Sequence, residues 1–546
     1  QGTASYSRFD MNFSERNYDL IANVSKNIAP DLNLKGLVGV NQRKTVISSV
    51  SQATSGGLIV PGLYSIANSK GTVPNPTEIY RPVAVDGYFA GLTLDYQETF
   101  VLDGSFRRDR SSTLPVANNA YNYFGVSGGY VFSKHLPSVK WLSYGKLRVN
   151  YAEVGSDAPF GSIKNSYDQP TPFGSTILFS LPGTNNNANL KPERTRSREA
   201  GLELAFLHNR LSLDVTYYRT NTFNQIMPVS ISTATGFNSQ YVNAGNIQNS
   251  GVELSLRATP VRSKDFSWDV SLNWTRNRNK VVELYQDAAG NKVTNIQLGS
   301  FQGGISVNAT EGQPYGTIQG KTYTMIDPKN AGSVIAWDGT SPRVVNSNGF
   351  YRQTSTTTNV IGNYNPNWIG GIYNTFRYKN FSLGFLVDVR NGGQVWSLDM
   401  YYGLNYTGIY PESVGLNENG KSIRTTDDGG GVILPGVLAD GSTNTKRVAI
   451  DANQAGDPPA KFAYDASYVK LREAVLTYSF PQSIFKNTPA IKGMDFSIIG
   501  RNLWLIHKNL PYSDPEENLS AGNIQGVQSG AYPTTRTIGA NLSIKF

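Results

Sequence analysis

The segment RNGGQVWSLDMYYGLNYTGIYPE places Trp396, Tyr401, Tyr402, Tyr406 and Tyr410 just after Arg390. Flat aromatic faces with polar edges suit contact with sugar rings or peptide backbones, and they equally suit an interfacial girdle or packing among themselves. Arg390 and these aromatics are the candidate contacts for a substrate or for a lid. Catalysis finds no comparable set. There are three histidines and no cysteine; His135 and His208 fall in short turns away from the long loops, His507 alone stands on the loop side, and no nucleophile, base and orienter set can be proposed from spacing. Asp427 and Asp428, and the group Asp514, Glu516 and Glu517, lack the regular ligand spacing of a calcium loop and read as solvated loop charge. Three glycines at 429–431 have no strand-to-helix context for cradling phosphate. The expectation is a protein that is not an enzyme, with no metal and no cofactor.

The aromatic segment has to be held by something, and the flanking sequence says what. Phe381, Leu383, Phe385, Val387 and Val389 alternate with Ser382, Gly384, Leu386, Asp388 and Arg390 immediately before it. The chain ends in the same way: Ile538, Ala540, Leu542, Ile544 and Phe546 alternate with Thr537, Gly539, Asn541, Ser543 and Lys545. Period-two alternation gives a β-strand with one oily and one wet face. Leu207 to Arg210 join two such strands as a tight hairpin.

This pattern recurs in about sixteen strands, centred near residues 9, 22, 36, 91, 102, 127, 150, 201, 214, 254, 270, 373, 386, 475, 499 and 541. Many are long enough to cross a bilayer at a tilt, which takes about 9–11 residues. Connections at 28–31, 95–98, 134–144, 207–210, 260–265, 378–380 and 480–492 are short, and between them fall long loops at 46–80, 156–193, 222–249, 280–366, 391–465 and 507–534. Short and long connections stay on opposite ends. That asymmetry, and Trp268 and Trp274 bracketing an apolar stripe, predict an all-β, transmembrane antiparallel β-barrel in an outer membrane with the C-terminus periplasmic, its outer face against lipid. No apolar run reaches the roughly 18 residues of a transmembrane helix. The fixed period of a propeller is absent. The formal charge of +9 comes from lysines and arginines interleaved with acidic residues, which excludes a nucleic-acid-binding run.

Six stretches in order, TSGGLIVPGLYSIAN, RRDRSSTLP, LKPERTRSREAGLELAFL, NAGNIQNSGVELSL, ASYVKLREAVLTYSFP and GRNLWLIHKNLPYSDPE, resemble SusC/RagA-type TonB-dependent outer-membrane transporters. The resemblance spans the whole chain, residues 1–546, as the C-terminal part of such a barrel. It implies a barrel of about 22 strands around an N-terminal plug, energised by TonB through that plug region and capped by a SusD-like surface lipoprotein. It further implies that Phe546 is read by the barrel-assembly machinery. Neither the plug nor a TonB-contacting segment is expected within this chain, whose first residues lack the features of an export signal. The function expected is active import of oligomeric nutrients, glycans or peptides; the alternative is a non-transporting barrel serving as adhesin or docking scaffold.

Overall fold

The computed structural model describes all residues except 1–3, 171, 287–289, 330–332, 337, 406, 451–456, 489, 521 and 523. Fifteen strands run antiparallel, each hydrogen-bonded to the next in chain order. They are β1 (Ser7–Ala29), β2 (Leu32–Ala53), β3 (Thr77–Tyr96), β4 (Phe100–Ser111) and β5 (Ala120–Tyr130), then β6 (Leu142–Ser156), β7 (Glu193–Phe206), β8 (Leu211–Ser230), β9 (Ser239–Arg262) and β10 (Phe266–Glu283). The path ends with β11 (Trp368–Tyr378), β12 (Phe381–Asn391), β13 (Tyr468–Ser479), β14 (Gly493–Lys508) and β15 (Thr537–Lys545). A sixteenth piece of the sheet, Thr184–Asn185, pairs in parallel with Ser239–Gln240. Among the described residues β1 and β15 are the two ends of the path and do not pair with each other. Among the described residues no helix is long and apolar enough to cross a membrane.

Cross-strand register explains the two-faced sequence. One row joins Leu204, Leu213, Leu256, Leu272, Ile372, Val387 and Leu471 across seven strands. The neighbouring row joins Glu203, Asp214, Ser255, Asn273, Gly371, Asp388 and Lys470. A one-residue slip in any strand would exchange oil for charge, so these rows pin the register. On the apolar face Leu20, Val38, Leu92, Leu102, Phe106 and Leu542 are all exposed, far more than a soluble surface carries. The polar face is laced internally: Arg148 reaches Asp214 at 2.7 Å and also pairs with Glu203.

Two sequence expectations are corrected. The strands centred near 9 and 22 are one strand, because Ser14–Asn17 continue the ladder against Val46–Arg43. The loop expected at 222–249 is mostly paired strand, with β8 and β9 zipped from Ala258↔Leu211 up to Ser239↔Ser230. At Ser14–Asn17 both faces carry polar residues, and in β8 and β9 apolar residues such as Ile226, Val229 and Ala244 fall out of strict alternation, so the period fails while hydrogen bonding persists.

The remaining loops on the long side, 54–76, 157–192, 284–367, 392–467 and 509–536, lie opposite the brief turns. Three of them fold together. A four-stranded antiparallel sheet within 284–367 (Asn295–Phe301, Ile305–Thr310, Thr317–Gly320, Asn359–Asn363) packs against residues of the other two.

Candidate functional site

The aromatic segment enters this cap directly from β12. Gln394–Trp396 pair with Ala463–Asp465, and the chain then turns into a short helix, Leu398–Asn405. Trp396 is wholly buried among Ile305, Val307, Ile318, Met400, Phe462 and Val527, residues drawn from all three loops. Its indole Nε1 donates to the carbonyl of Pro459 at 3.0 Å. Gly303, at φ +80°, lies against the indole, where an added Cβ would come within 2.6 Å of the ring. That position therefore needs glycine for both its conformation and its clearance.

The other aromatics extend outward from this core. Tyr401 packs at 5.2 Å from Trp396 and edge-on to Phe462 at 5.4 Å. Tyr402 is exposed at the surface and donates through its hydroxyl to Gln302 at 2.8 Å. Tyr410 stacks on Tyr512 at 4.4 Å, and Tyr512 donates to Glu412. Arg390 sits beneath them, donating Nη2 to the Tyr364 carbonyl at 2.6 Å while its buried Nε has no hydrogen-bond partner. Tyr406 lies outside the described residues. The described candidates are thus brought together, with Trp396 in the hydrophobic interior and Tyr402 on the surface.

Sequence reasoning missed an ionic cluster under the cap. Lys470 and Arg472 on β13 meet Asp514 and Glu516 of the 509–536 loop: Lys470 Nζ lies 2.7 Å from Asp514, and Arg472 Nη1 lies 2.7 Å from Glu516. Arg472 also bonds Asp388 through Nε at 2.7 Å, and the Tyr468 hydroxyl donates to Glu516 at 3.0 Å. Solvated loop charge was the expectation for Asp514, Glu516 and Glu517; all three instead hold structure. Glu517 accepts the amides of Ser529 and Ala531 at 2.9 and 2.6 Å, closing the loop on itself. Burial opposes ionisation of Glu516, but hydrogen bonds and charge from Arg472 and Lys470 outweigh it and hold the carboxyl below its ordinary pKa. Asp514 is lowered against burial in the same way, by Lys470, the Glu516 amide and Thr534. The signal was the basic alternation on one face of ASYVKLREAVL, which needed acidic partners from another segment. Asp427 stays in an exposed turn. Among the described residues no group of three or more His, Asp or Glu side chains could hold a metal.

The profile described as TonB dependent receptor-like, beta-barrel matches residues 1–368. The chain belongs to the TonB-dependent receptor β-barrel family. Membership places this TonB-dependent receptor barrel in the outer membrane. It is 25% identical over 485 residues to TonB-dependent receptor SusC of Bacteroides thetaiotaomicron, covering 84% of this chain and 43% of that protein. It is 24% identical over 495 residues to TonB-dependent receptor P3 of Formosa agariphila, covering 86% of this chain and 46% of that protein. The chain therefore spans less than half the length of these relatives. Its fold is that of a chain in the RagAB peptide transporter structure, with a TM-score of 0.77 at 20% identity, over 99% of this chain and 56% of that one.

Proposed function

We propose that this TonB-dependent receptor barrel forms the larger part of an active importer for oligomeric nutrients, glycans or peptides, working with a SusD-like surface lipoprotein and energised through TonB. The observation that carries this reading is the cap, in which three loops share one hydrophobic core, present exposed aromatics such as Tyr402 and Tyr512, and are tied by ion pairs to the polar face of the sheet. A pore faced with fixed charge and roofed by a folded aromatic surface suits capture of a flat or extended ligand and its release into a wet channel. The likeness to SusC and to the RagAB fold supports the lipoprotein partner and the oligomeric substrate class. In this reading the long loops face outward, the turns and Phe546 face the periplasm, Phe546 engages the barrel-assembly machinery, and a plug contributed by an N-terminal region contacts TonB.

The test is uptake. Deletion of the complete gene should abolish growth on one class of oligosaccharide or peptide, removal of TonB should reproduce the defect, and an affinity-tagged barrel should co-purify a surface lipoprotein. Unchanged growth and uptake with loss of surface adhesion would instead support the adhesin or scaffold alternative.

A further inference from the structure

Above its apolar rows, the lipid-type face of β7 to β10 changes character abruptly. Register runs Leu202, Val215, Leu254 and Trp274 in one row, and the next row on the same face runs Ala200, Tyr217, Val252 and Arg276. The row beyond holds Arg198, Arg219, Ser250 and Arg278, and the one after it Arg196, Asn221, Gln248 and Lys280. Glu153, the acidic side chain on these rows, is already held by Arg194 at 3.3 Å and Arg196 at 2.8 Å. That leaves five cations, Arg198, Arg219, Arg276, Arg278 and Lys280, none with an acidic partner among the described residues and all exposed.

The arrangement is costly as it stands. Arg198 and Arg219 are directly opposite in the antiparallel ladder, where like charges repel. Arg219 is steered by Gln248 and Arg278 by the carbonyls of Pro366 and Asn367, neutral groups that orient a guanidinium without neutralising it. Oriented guanidinium forks on a face continuous with lipid-facing leucines match a phosphate group carried on an acyl chain. Tyr217 and Trp274 lie between the two zones, as interfacial aromatics do.

We propose that this patch binds the phosphate groups of an anionic glycolipid in the outer leaflet, with the acyl chains lying along the leucine rows below. The assignment rests on the outward orientation of the long loops proposed above. The complete outer-membrane protein in neutral detergent is titrated with bisphosphorylated lipid A and with the same lipid after removal of its phosphates. The intact lipid should bind at least tenfold more tightly, and binding should weaken as salt rises. The variant R198Q/R219Q/R276Q/R278Q should lose that preference, whereas K264Q/K379Q/K492Q on the turn side should keep it. Equal binding of the two lipids by the parent would overturn the proposal even if the patch variant failed to fold. So would displacement of lipid A by millimolar inorganic phosphate, which would mean a simple anion site, or loss of the lipoprotein partner rather than of lipid in the patch variant. Labelling Tyr532→Cys from outside intact cells tests the orientation separately.

Discussion

Trp396 illustrates how a residue chosen for contact can serve cohesion instead. Its replacement by Ala removes a fully buried indole and strands the Pro459 carbonyl, at a cost of about 3–5 kcal/mol to the cap. The expected result is proteolysis within 284–467 in whole cells while the barrel itself stays heat-modifiable. Tyr402→Ala should behave oppositely, because that ring is at the surface: protease resistance unchanged, uptake reduced several-fold. Equal uptake by parent and Tyr402→Ala would remove Tyr402 from the binding surface. At the other end of the molecule, Leu542 stands exposed on the lipid-type face of β15. Leu542→Asp puts a charge there at a cost of up to a few kcal/mol, so the amount of heat-modifiable barrel should fall. Charge at 542 was legible as harmful from alternation alone. Burial of Trp396 was not, since its partners lie in segments separated by long stretches of chain and no local period reports them.

Between residues and whole fold, the 509–536 loop behaves as a docked element. Its carboxylates Asp514 and Glu516 have lowered pKa values in the fold. Their pairing with Lys470 and Arg472 therefore contributes fully above the ordinary carboxylate pKa of about 4 and is lost as pH falls through the depressed values. Hydroxyl-radical footprinting of 509–536 should show protection from neutral pH down to about 4 and exposure only at stronger acid. Glu516→Gln should expose the loop at neutral pH by removing the loop charge that Lys470 and Arg472 hold, while Arg472 keeps Asp388. The strands that carry such elements were legible wherever one face meets oil. In β1 at Ser14–Asn17, wet on both faces, and in upper β8 and β9, where Ile226 and Tyr241 pack on a loop-side cluster instead of following the alternation, hydrophobic period gave no guide to strand length.

For the molecule as a whole, β1 and β15 end the path without pairing to each other, and a sheet edge cannot stay unsatisfied in hydrocarbon. About seven further strands would complete a barrel of about 22. The 546-residue chain expressed by itself should give no monodisperse closed barrel by native mass spectrometry and heat-modifiability, and co-expression with the preceding part of its gene should restore one. Fold class, strand order and the two faces were all readable from the sequence, because a bilayer imposes one simple rule along every crossing. The cap followed no such rule. Its shape depends on which loop segments meet, and that is decided in three dimensions.

The shared core beneath Trp396 has a bearing on how such proteins diversify. Ile305, Met400 and Val527 belong to different loops but touch the same interior, so a foreign version of any one loop would arrive with a mismatched underside. Recombination between relatives should then succeed only when the three loops travel as a set. Engineers wishing to graft a new specificity onto this barrel would do well to transplant the trio and leave the strands in place.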